Sequence, residues 1–167
     1  GDDSGARMSA LDARPTPPAD LLVRGAHVLD PREGIDAPHD VLVRGGKIAE
    51  LGAPGSLPDE GVEVIEGEGR HLFPGFVDPH VHLRTPGRED EETIATGTAA
   101  AATGGYCAIL AMPNTDPVVD SASVLRSLGE LAAEQAEIPV GFLAAISKGS
   151  EGGSLSEMGE LAEAGAV

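Results

Sequence analysis

Beyond Arg70 the sequence alternates between apolar runs typical of buried strands and segments with helical periodicity, and this alternation limits the possible folds more than any other feature. It predicts strands over residues 72–82, 106–112 and 140–146, helices over residues 93–102, 121–136 and 154–164, and a further strand opening at 165–167. Strands that alternate with helices form a parallel sheet with crossover connections. The order fits a doubly wound sheet and equally the first half of a (β/α)8 barrel.

The chain before Arg70 has a different pattern. Residues 1–19 are rich in Gly, Ser, Asp, Ala and Pro and show no periodicity, which predicts a disordered leader. Short apolar runs separated by turn residues follow, over residues 21–24, 41–44, 48–51 and 62–65. Runs of this length are typical of a small β-sheet or sandwich. We therefore divide the chain into a leader (1–19), a β unit (20–70) and the beginning of an α/β domain (71–167).

The composition excludes several classes of partner. Aromatic residues are only 2% of the chain, so the core must be built from Val, Leu, Ile and Ala, which suits buried parallel strands. The formal net charge of −17 repels phosphate backbones, so nucleic acid is excluded as a partner. No stretch of the sequence approaches the roughly 18 apolar residues of a membrane helix. The single cysteine, Cys107, is expected to be a small buried side chain, and its lack of a disulfide partner fits a cytoplasmic location.

The sharpest chemical feature is the pair His80 and His82 at the end of a predicted strand. Residues i and i+2 of a strand point to the same side, so two such imidazoles can bind one metal ion at about 2.0–2.1 Å. Parallel α/β folds keep their active sites at strand ends. Asp78 has the same parity and is placed to orient a histidine. Histidine pairs also occur without a metal, and the residues alone leave both interpretations open.

Two further polar residues follow predicted strands. Arg84 comes two residues after His82, and its planar guanidinium matches a carboxylate. The alternative is a surface arginine paired with Glu89 or Asp90. Asn114 comes directly after an apolar strand, and its amide can both donate to and accept from a ligand. The alternative for Asn114 is an ordinary turn, since Pro-Asn and Asp-Pro pairs mark loops.

The segments PGFVDPHVHLRTPG (74–87) and AMPNTDPVVD (111–120) resemble the amidohydrolase superfamily and, within it, the bacterial type I dihydroorotases. The resemblance covers residues 20–167. It implies a (β/α)8 barrel flanked by a small β-sandwich, with one or two Zn²⁺ ions held by His80 and His82. It also implies that His82, Arg84 and Asn114 bind substrate. The implied reaction is the reversible cyclisation of N-carbamoyl-L-aspartate to L-dihydroorotate in de novo pyrimidine (UMP) biosynthesis.

The resemblance also implies that the site is incomplete within these residues. The family's bridging ligand, two further histidines and the catalytic aspartate are expected beyond Val167, so no catalytic residue is assigned and the chain alone is expected to be inactive. Relatives of this kind imply a small-molecule substrate and a homo-oligomer or a complex with aspartate transcarbamoylase. One departure from the family is Glu91, which stands where lysine is common and adds negative charge near the site entrance.

Two alternative functions are compatible with these motifs. The first is another cyclic-amide hydrolase of the hydantoinase or allantoinase kind. Arg84 argues against it, because a hydantoin ring lacks the carboxylate that this arginine would bind. The second is a catalytically dead dihydroorotase-like scaffold for aspartate transcarbamoylase. A scaffold of this kind is expected to lose its metal ligands first. The presence of His80 and His82 therefore argues against this alternative.

Overall fold

The computed structural model describes residues 11–167, and its contacts divide these residues into two compact units. One unit is Thr16–Pro74, and the other is Gly75–Val167 together with residues 11–15. The first ten residues of the predicted leader lie outside the described part. Within the described residues, no helix is both long enough and apolar enough to cross a membrane.

The unit Thr16–Pro74 contains one mixed five-stranded sheet. Its strands are β1 (Leu21–Asp30), β2 (Ile35–Arg44), β3 (Lys47–Gly52), β4 (Glu63–Glu66) and β5 (His71–Leu72). The order is β3-β2-β1-β4, with β5 also paired to β1. β1, β2 and β3 form two antiparallel hairpins, whereas β4 and β5 run parallel to β1. All four strands predicted before Arg70 are present, and the first two are longer than predicted.

Local sequence explains the hairpins and the longer strands. Gly45 and Gly46 have φ angles of 57° and 73°, as a two-residue hairpin turn between right-twisted strands requires. The register of β1 shifts between Val23 and Ala26, where the chain bulges. This bulge and the polar residue His27 interrupt the apolar alternation. The sequence pattern therefore ends at Arg24, although the strand continues.

A buried carboxylate organises the interior of this unit. Asp40 is fully buried, and it accepts hydrogen bonds from Gly25 N at 2.8 Å and Leu57 N at 3.3 Å. Burial raises the pKa of Asp40, but backbone N–H groups of residues 25 and 55–57 stabilise its anion, and the pKa lies below its usual value. The charged side chain thus ties the loop after β3 to the bulge in β1.

The unit Gly75–Val167 has parallel strands connected by helices, as the alternation predicts. Its strands are β6 (Phe76–Val81), β7 (Tyr106–Ala111) and β8 (Val140–Phe142), and its helices are α1 (Ile94–Thr103), α2 (Ala122–Gln135) and α3 (Met158–Glu163). The sheet order is β6-β7-β8, and both pairings are parallel. The core is aliphatic apart from one aromatic ring, and its fully buried members include Ile94, Ile109, Leu128 and Val140. The prediction of an α/β fold with a parallel sheet is confirmed.

Capping and packing set the limits of the helices. Thr93 and Thr96 form a capping box at the start of α1, and the chain leaves this helix at Gly104. Buried Thr98 accepts a hydrogen bond from Glu137 N at 3.0 Å, which joins α1 to the end of α2. Helix α2 buries Leu125, Leu128 and Ala132 on one face.

Several predictions for this unit differ from the structure. The strands predicted over residues 72–82 and 140–146 are shorter, at Phe76–Val81 and Val140–Phe142. The last helix begins at Met158 rather than at residue 154, because Ser156 N donates to Ile146 O at 2.9 Å and keeps the preceding segment extended. Residues 165–167 are not a strand, although Val167 N donates to Phe142 O at 3.2 Å. Cys107 is exposed, not buried, because Gly75 lies directly beside it and has no side chain to cover it.

The described end of the predicted leader contacts the sheet. Asp12 and Val140 exchange two backbone hydrogen bonds of 2.9 Å, and Arg14 N donates to Ala136 O at 3.0 Å. The guanidinium of Arg14 also forms an ion pair with Glu137. These contacts place residues 12–14 along β8. The sequence did not indicate them, because a single backbone bridge leaves no periodic pattern.

Candidate active site

The two histidines lie together at the carboxyl end of β6. His80 and His82 are both exposed, and their ring centroids are 5.3 Å apart with an interplanar angle of 69°. The Asp78 carboxylate accepts a hydrogen bond from the backbone N–H of His80 at 3.0 Å. Asp78 therefore fixes the backbone beneath the histidines and does not contact a ring, which differs from the role expected for it. The exposed rings leave their nitrogens accessible to a ligand.

Asn114 is the residue that contacts a histidine ring. Its Oδ1 lies 2.8 Å from His82 Nδ1. The contact forms because β6 and β7 are neighbouring parallel strands: Val81 pairs with Ala111, and Met112 N donates to Val81 O at 2.9 Å. With the amide of Asn114 in this orientation its oxygen accepts, and the matching tautomer of His82 is the one with the proton on Nδ1. In that tautomer the lone pair lies on Nε2, the ring nitrogen that could bind a metal ion.

Arg84 begins the loop that follows the histidines, and its guanidinium has an acidic partner. Its Nε lies 3.3 Å from Glu91 Oε2. The alternative partners considered from sequence are occupied elsewhere: Glu89 accepts from Gly87 N, and Asp90 pairs with Arg88. The structure therefore brings His80, His82 and Asn114 into contact, while Arg84 is paired with an acid of its own loop.

The loop of Arg84 is held against the loop that carries Asn114. Arg84 has a φ of 60°, and its carbonyl accepts from Arg88 N at 2.9 Å. Asp116 N donates to Pro86 O at 3.0 Å. Gly87 has a φ of 105°, and a Cβ there would lie 2.3 Å from Asp116 O, so only glycine allows this approach. The two loops are consequently locked together at the ends of β6 and β7.

The acidic residues near Arg84 raise the pKa of the neighbouring Arg88. Arg88 Nη2 donates to Glu91 Oε1 at 2.5 Å, and Arg88 Nε lies 3.3 Å from Asp90 Oδ1. Hydrogen bonding to Asp90, with the charges of Glu91 and Asp90, raises the pKa of the Arg88 guanidinium above its usual value. Glu91 is thus shared between two arginines.

His80 and His82 by themselves offer a metal ion two imidazoles. Across residues 11–167, no three His, Cys, Asp or Glu side chains are grouped so that they could hold a metal ion. A catalytic zinc site ordinarily uses three protein ligands. His80 and His82 fit such a site in donor type and in exposure, and a site of this kind would need at least one further ligand.

Comparisons with known proteins agree with the motifs. A family profile described as "Dihydro-orotase-like" matches residues 69–167. A protein named "Dihydroorotase" from Citrifermentans bemidjiense is 46% identical over 147 residues, which is 88% of this chain and 34% of that protein. One of the same name from Syntrophobacter fumaroxidans is 46% identical over 153 residues, covering 90% of this chain and 35% of the relative. The chain therefore spans about a third of the length of the curated relatives it matches.

Solved structures give the same result at the level of the fold. A dihydropyrimidinase from Brevibacillus agri superposes with a TM-score of 0.66 and 29% identity, over 86% of this chain and 29% of that one. An L-hydantoinase from Arthrobacter aurescens superposes with a TM-score of 0.67 over 77% of this chain and 28% of that one. Its 23% identity shows a shared fold alone. Since the family profile covers more than half of the residues, the chain belongs to the dihydroorotase-like family.

Proposed function

We propose that the protein containing this chain is a zinc-dependent dihydroorotase. It would catalyse the reversible cyclisation of N-carbamoyl-L-aspartate to L-dihydroorotate in de novo pyrimidine biosynthesis. The contact between His82 and Asn114 carries the proposal, since it joins a candidate metal ligand to a candidate substrate ligand at 2.8 Å. The names of the relatives at 46% identity support the same activity.

We infer that β6, β7 and β8 are the first strands of a (β/α)8 barrel, and that the sheet of Thr16–Pro74 belongs to a β-sandwich. In a barrel, consecutive strands lie side by side without a reversal of order, and β6-β7-β8 follows that rule. The histidines and Asn114 lie after the carboxyl ends of β6 and β7, which is the catalytic face of such barrels. The superposition on the dihydropyrimidinase supports this assignment.

In this proposal His80 and His82 hold zinc together with ligands outside residues 1–167. Bound zinc lowers the pKa of a coordinated water and polarises the ring carbonyl of the substrate. The chain's own contribution is orientation. Asn114 holds His82 in the tautomer that presents the Nε2 lone pair, and Asp78 fixes the backbone N–H of His80.

Arg84 and Asn114 would bind the substrate carboxylate. The Arg84 guanidinium offers parallel N–H donors that match two carboxylate oxygens. Because Oδ1 of Asn114 is occupied by His82, its Nδ2 group remains to donate to the substrate. Asn114 would thereby link the position of the carboxylate to the orientation of a metal ligand. The catalytic proton carrier is expected to be an aspartate beyond Val167.

The resemblance to the dihydropyrimidinase from Brevibacillus agri favours one alternative, hydrolysis of another cyclic amide. Arg84 distinguishes the two substrates, because dihydroorotate carries a carboxylate that its guanidinium can bind and a hydantoin ring does not. A catalytically dead scaffold for aspartate transcarbamoylase is the other alternative, and it predicts a protein without bound zinc. We further propose that the protein is cytoplasmic and forms a homo-oligomer or a complex with aspartate transcarbamoylase.

The test is turnover by the full-length protein. We expect hydrolysis of L-dihydroorotate, at least one zinc per chain, and little hydrolysis of hydantoin. Arg84→Ala should raise KM for dihydroorotate and leave hydantoin hydrolysis unchanged. The isolated 167-residue chain, with only His80 and His82 of the expected zinc ligands, should not turn over dihydroorotate. Turnover of hydantoin in preference to dihydroorotate would refute the proposal, and so would a full-length protein that binds zinc but hydrolyses neither.

A further inference from the structure

The carboxylate of Glu91 already occupies the guanidinium that the substrate is expected to use. We propose that Glu91 is a positioning residue that competes with the substrate carboxylate for Arg84 and thereby sets the affinity for acidic substrates. The inference rests on the proposed function, because it takes Arg84 as the group that binds the substrate carboxylate.

The backbone of the loop places the two side chains together. Arg88 N donates to Arg84 O, and Glu91 N donates to Arg88 O, both at 2.9 Å. These two consecutive turns bring Arg84, Arg88 and Glu91 to one side of the loop. The anchoring of Gly87 and Pro86 against Asp116 holds the same loop in place. The ion pair of Arg84 and Glu91 is therefore a product of a fixed backbone.

Glu91 differs from its acidic neighbours in its partners. Glu89 accepts from Gly87 N with both carboxylate oxygens, Asp90 pairs with Arg88, and Glu92 accepts from Thr93 N. In the ion pairs recorded for residues 11–167, Glu91 is the acid that reaches Arg84. Among the acidic residues 89–92, removing the charge of Glu91 is therefore the change expected to free the Arg84 guanidinium.

Arg88 makes the contact reversible. Glu91 Oε1 accepts from Arg88 Nη2 at 2.5 Å while Oε2 lies beside Arg84. When a substrate carboxylate takes Arg84, Glu91 retains Arg88 and does not become an unpaired charge. The side chains of Arg84 and Glu91 are 38% and 43% exposed, so the solvent-screened pair is weak enough for a ligand to displace.

The size of the effect follows from that exposure. Because exposed ion pairs are weak, breaking one should change the dissociation constant of a ligand that competes for it by about two- to five-fold. Glu91→Gln in the full-length protein should therefore lower KM for L-dihydroorotate about two- to five-fold and leave kcat unchanged. The dissociation constant of dihydroorotate, measured by calorimetry, should fall by the same factor. The difference from wild type should shrink as ionic strength rises.

Two further variants serve as controls, Asp90→Asn for a general charge effect and Arg88→Gln for a loss of loop structure. Asp90→Asn removes an equal charge one residue away but contacts Arg88 and not Arg84, so KM should change less than in Glu91→Gln. Arg88→Gln removes the second partner of Glu91, which then pairs with Arg84 alone, so KM should rise. KM should thus fall in Glu91→Gln and rise in Arg88→Gln. A general loss of loop structure would instead change KM in the same direction in both variants.

The outcomes are distinguishable. A KM that is unchanged or raised in Glu91→Gln, or a fall matched by Asp90→Asn, overturns the inference while wild-type turnover leaves the proposed function intact. A fall in kcat with unchanged KM also overturns it. A wild-type protein that neither turns over nor binds dihydroorotate removes the proposed function and this inference with it.

Discussion

The titratable side chains singled out in the two units have opposite environments. In Thr16–Pro74 the notable carboxylate, Asp40, is fully buried and its oxygens accept hydrogen bonds from backbone N–H groups. In Gly75–Val167 the buried polar side chains are the uncharged Thr85, Thr98 and Ser156, whereas the titratable His80 and His82 are exposed at a strand end. A buried polar group that is hydrogen-bonded to backbone N–H groups stabilises the fold, whereas an exposed polar group can bind a ligand.

The largest effect that would test this contrast is loss of activity at an exposed residue. His80→Ala in the full-length protein should reduce kcat/KM by more than about 100-fold, since even an outer partner of a metal ligand changes activity by about 10–100-fold. The free energy of unfolding of the metal-free protein should change by less than about 0.5 kcal/mol, because the side chain is exposed. Steady-state kinetics and urea unfolding measure the two quantities. A large loss of stability would contradict the contrast.

Asn114 gives the next effect, and its variants separate two roles. Asn114→Ala should weaken zinc affinity about 10–100-fold, because His82 loses the acceptor that fixes its tautomer. Asn114→Asp keeps an acceptor for His82 Nδ1 but loses the donor to substrate. It should therefore retain zinc in a chelator competition assay and show a raised KM. Equal loss of zinc in both variants would refute the orienting role.

The buried carboxylate should produce a change in stability instead. Asp40→Ala leaves the N–H groups of Gly25 and Leu57 without their acceptor and should lower the free energy of unfolding by about 1–3 kcal/mol. Glu50→Ala, at an exposed position of β3, is the matched control and should change it by less than about 0.5 kcal/mol. Activity per folded molecule should be unaltered in both. An Asp40→Ala protein as stable as the control would show that the buried contacts are unimportant.

The pH dependence of Asp40 follows from the direction of its pKa. Its folded pKa is lowered, so its contribution is complete above the unfolded value of about 3.9 and is lost as pH falls toward the folded pKa. Wild type should therefore lose more free energy of unfolding than Asp40→Asn when pH is lowered from 5 through 3. Parallel pH profiles of the two proteins in urea unfolding would contradict this assignment.

Sequence alone identified the fold class and the segments that form it, because apolar periodicity and glycine punctuation record burial directly. It also located the residues at the strand ends. It could not identify the contact of His82 with Asn114, which depends on the register of β6 against β7. Nor could it choose Glu91 as the partner of Arg84, since that choice depends on two turns of the loop backbone. The prediction that Cys107 is buried was wrong, because burial of a strand's first residues depends on their neighbours, and the neighbour here is Gly75.

The smallest effect concerns an exposed ion pair that no ligand is expected to contest. Arg14 pairs with Glu137, and both side chains are nearly half exposed. Arg14→Ala should change the free energy of unfolding by at most about 1 kcal/mol, since Asp12 and Val140 keep their backbone hydrogen bonds. Urea unfolding, with kinetics at several dihydroorotate concentrations, should show no change in KM. The ion pair of Arg84 and Glu91 is equally weak, so a KM shift at Glu91 beside none at Arg14 would assign the effect to competition with substrate. A shift in KM at Arg14 would instead show that altered charge anywhere on this acidic chain changes substrate affinity.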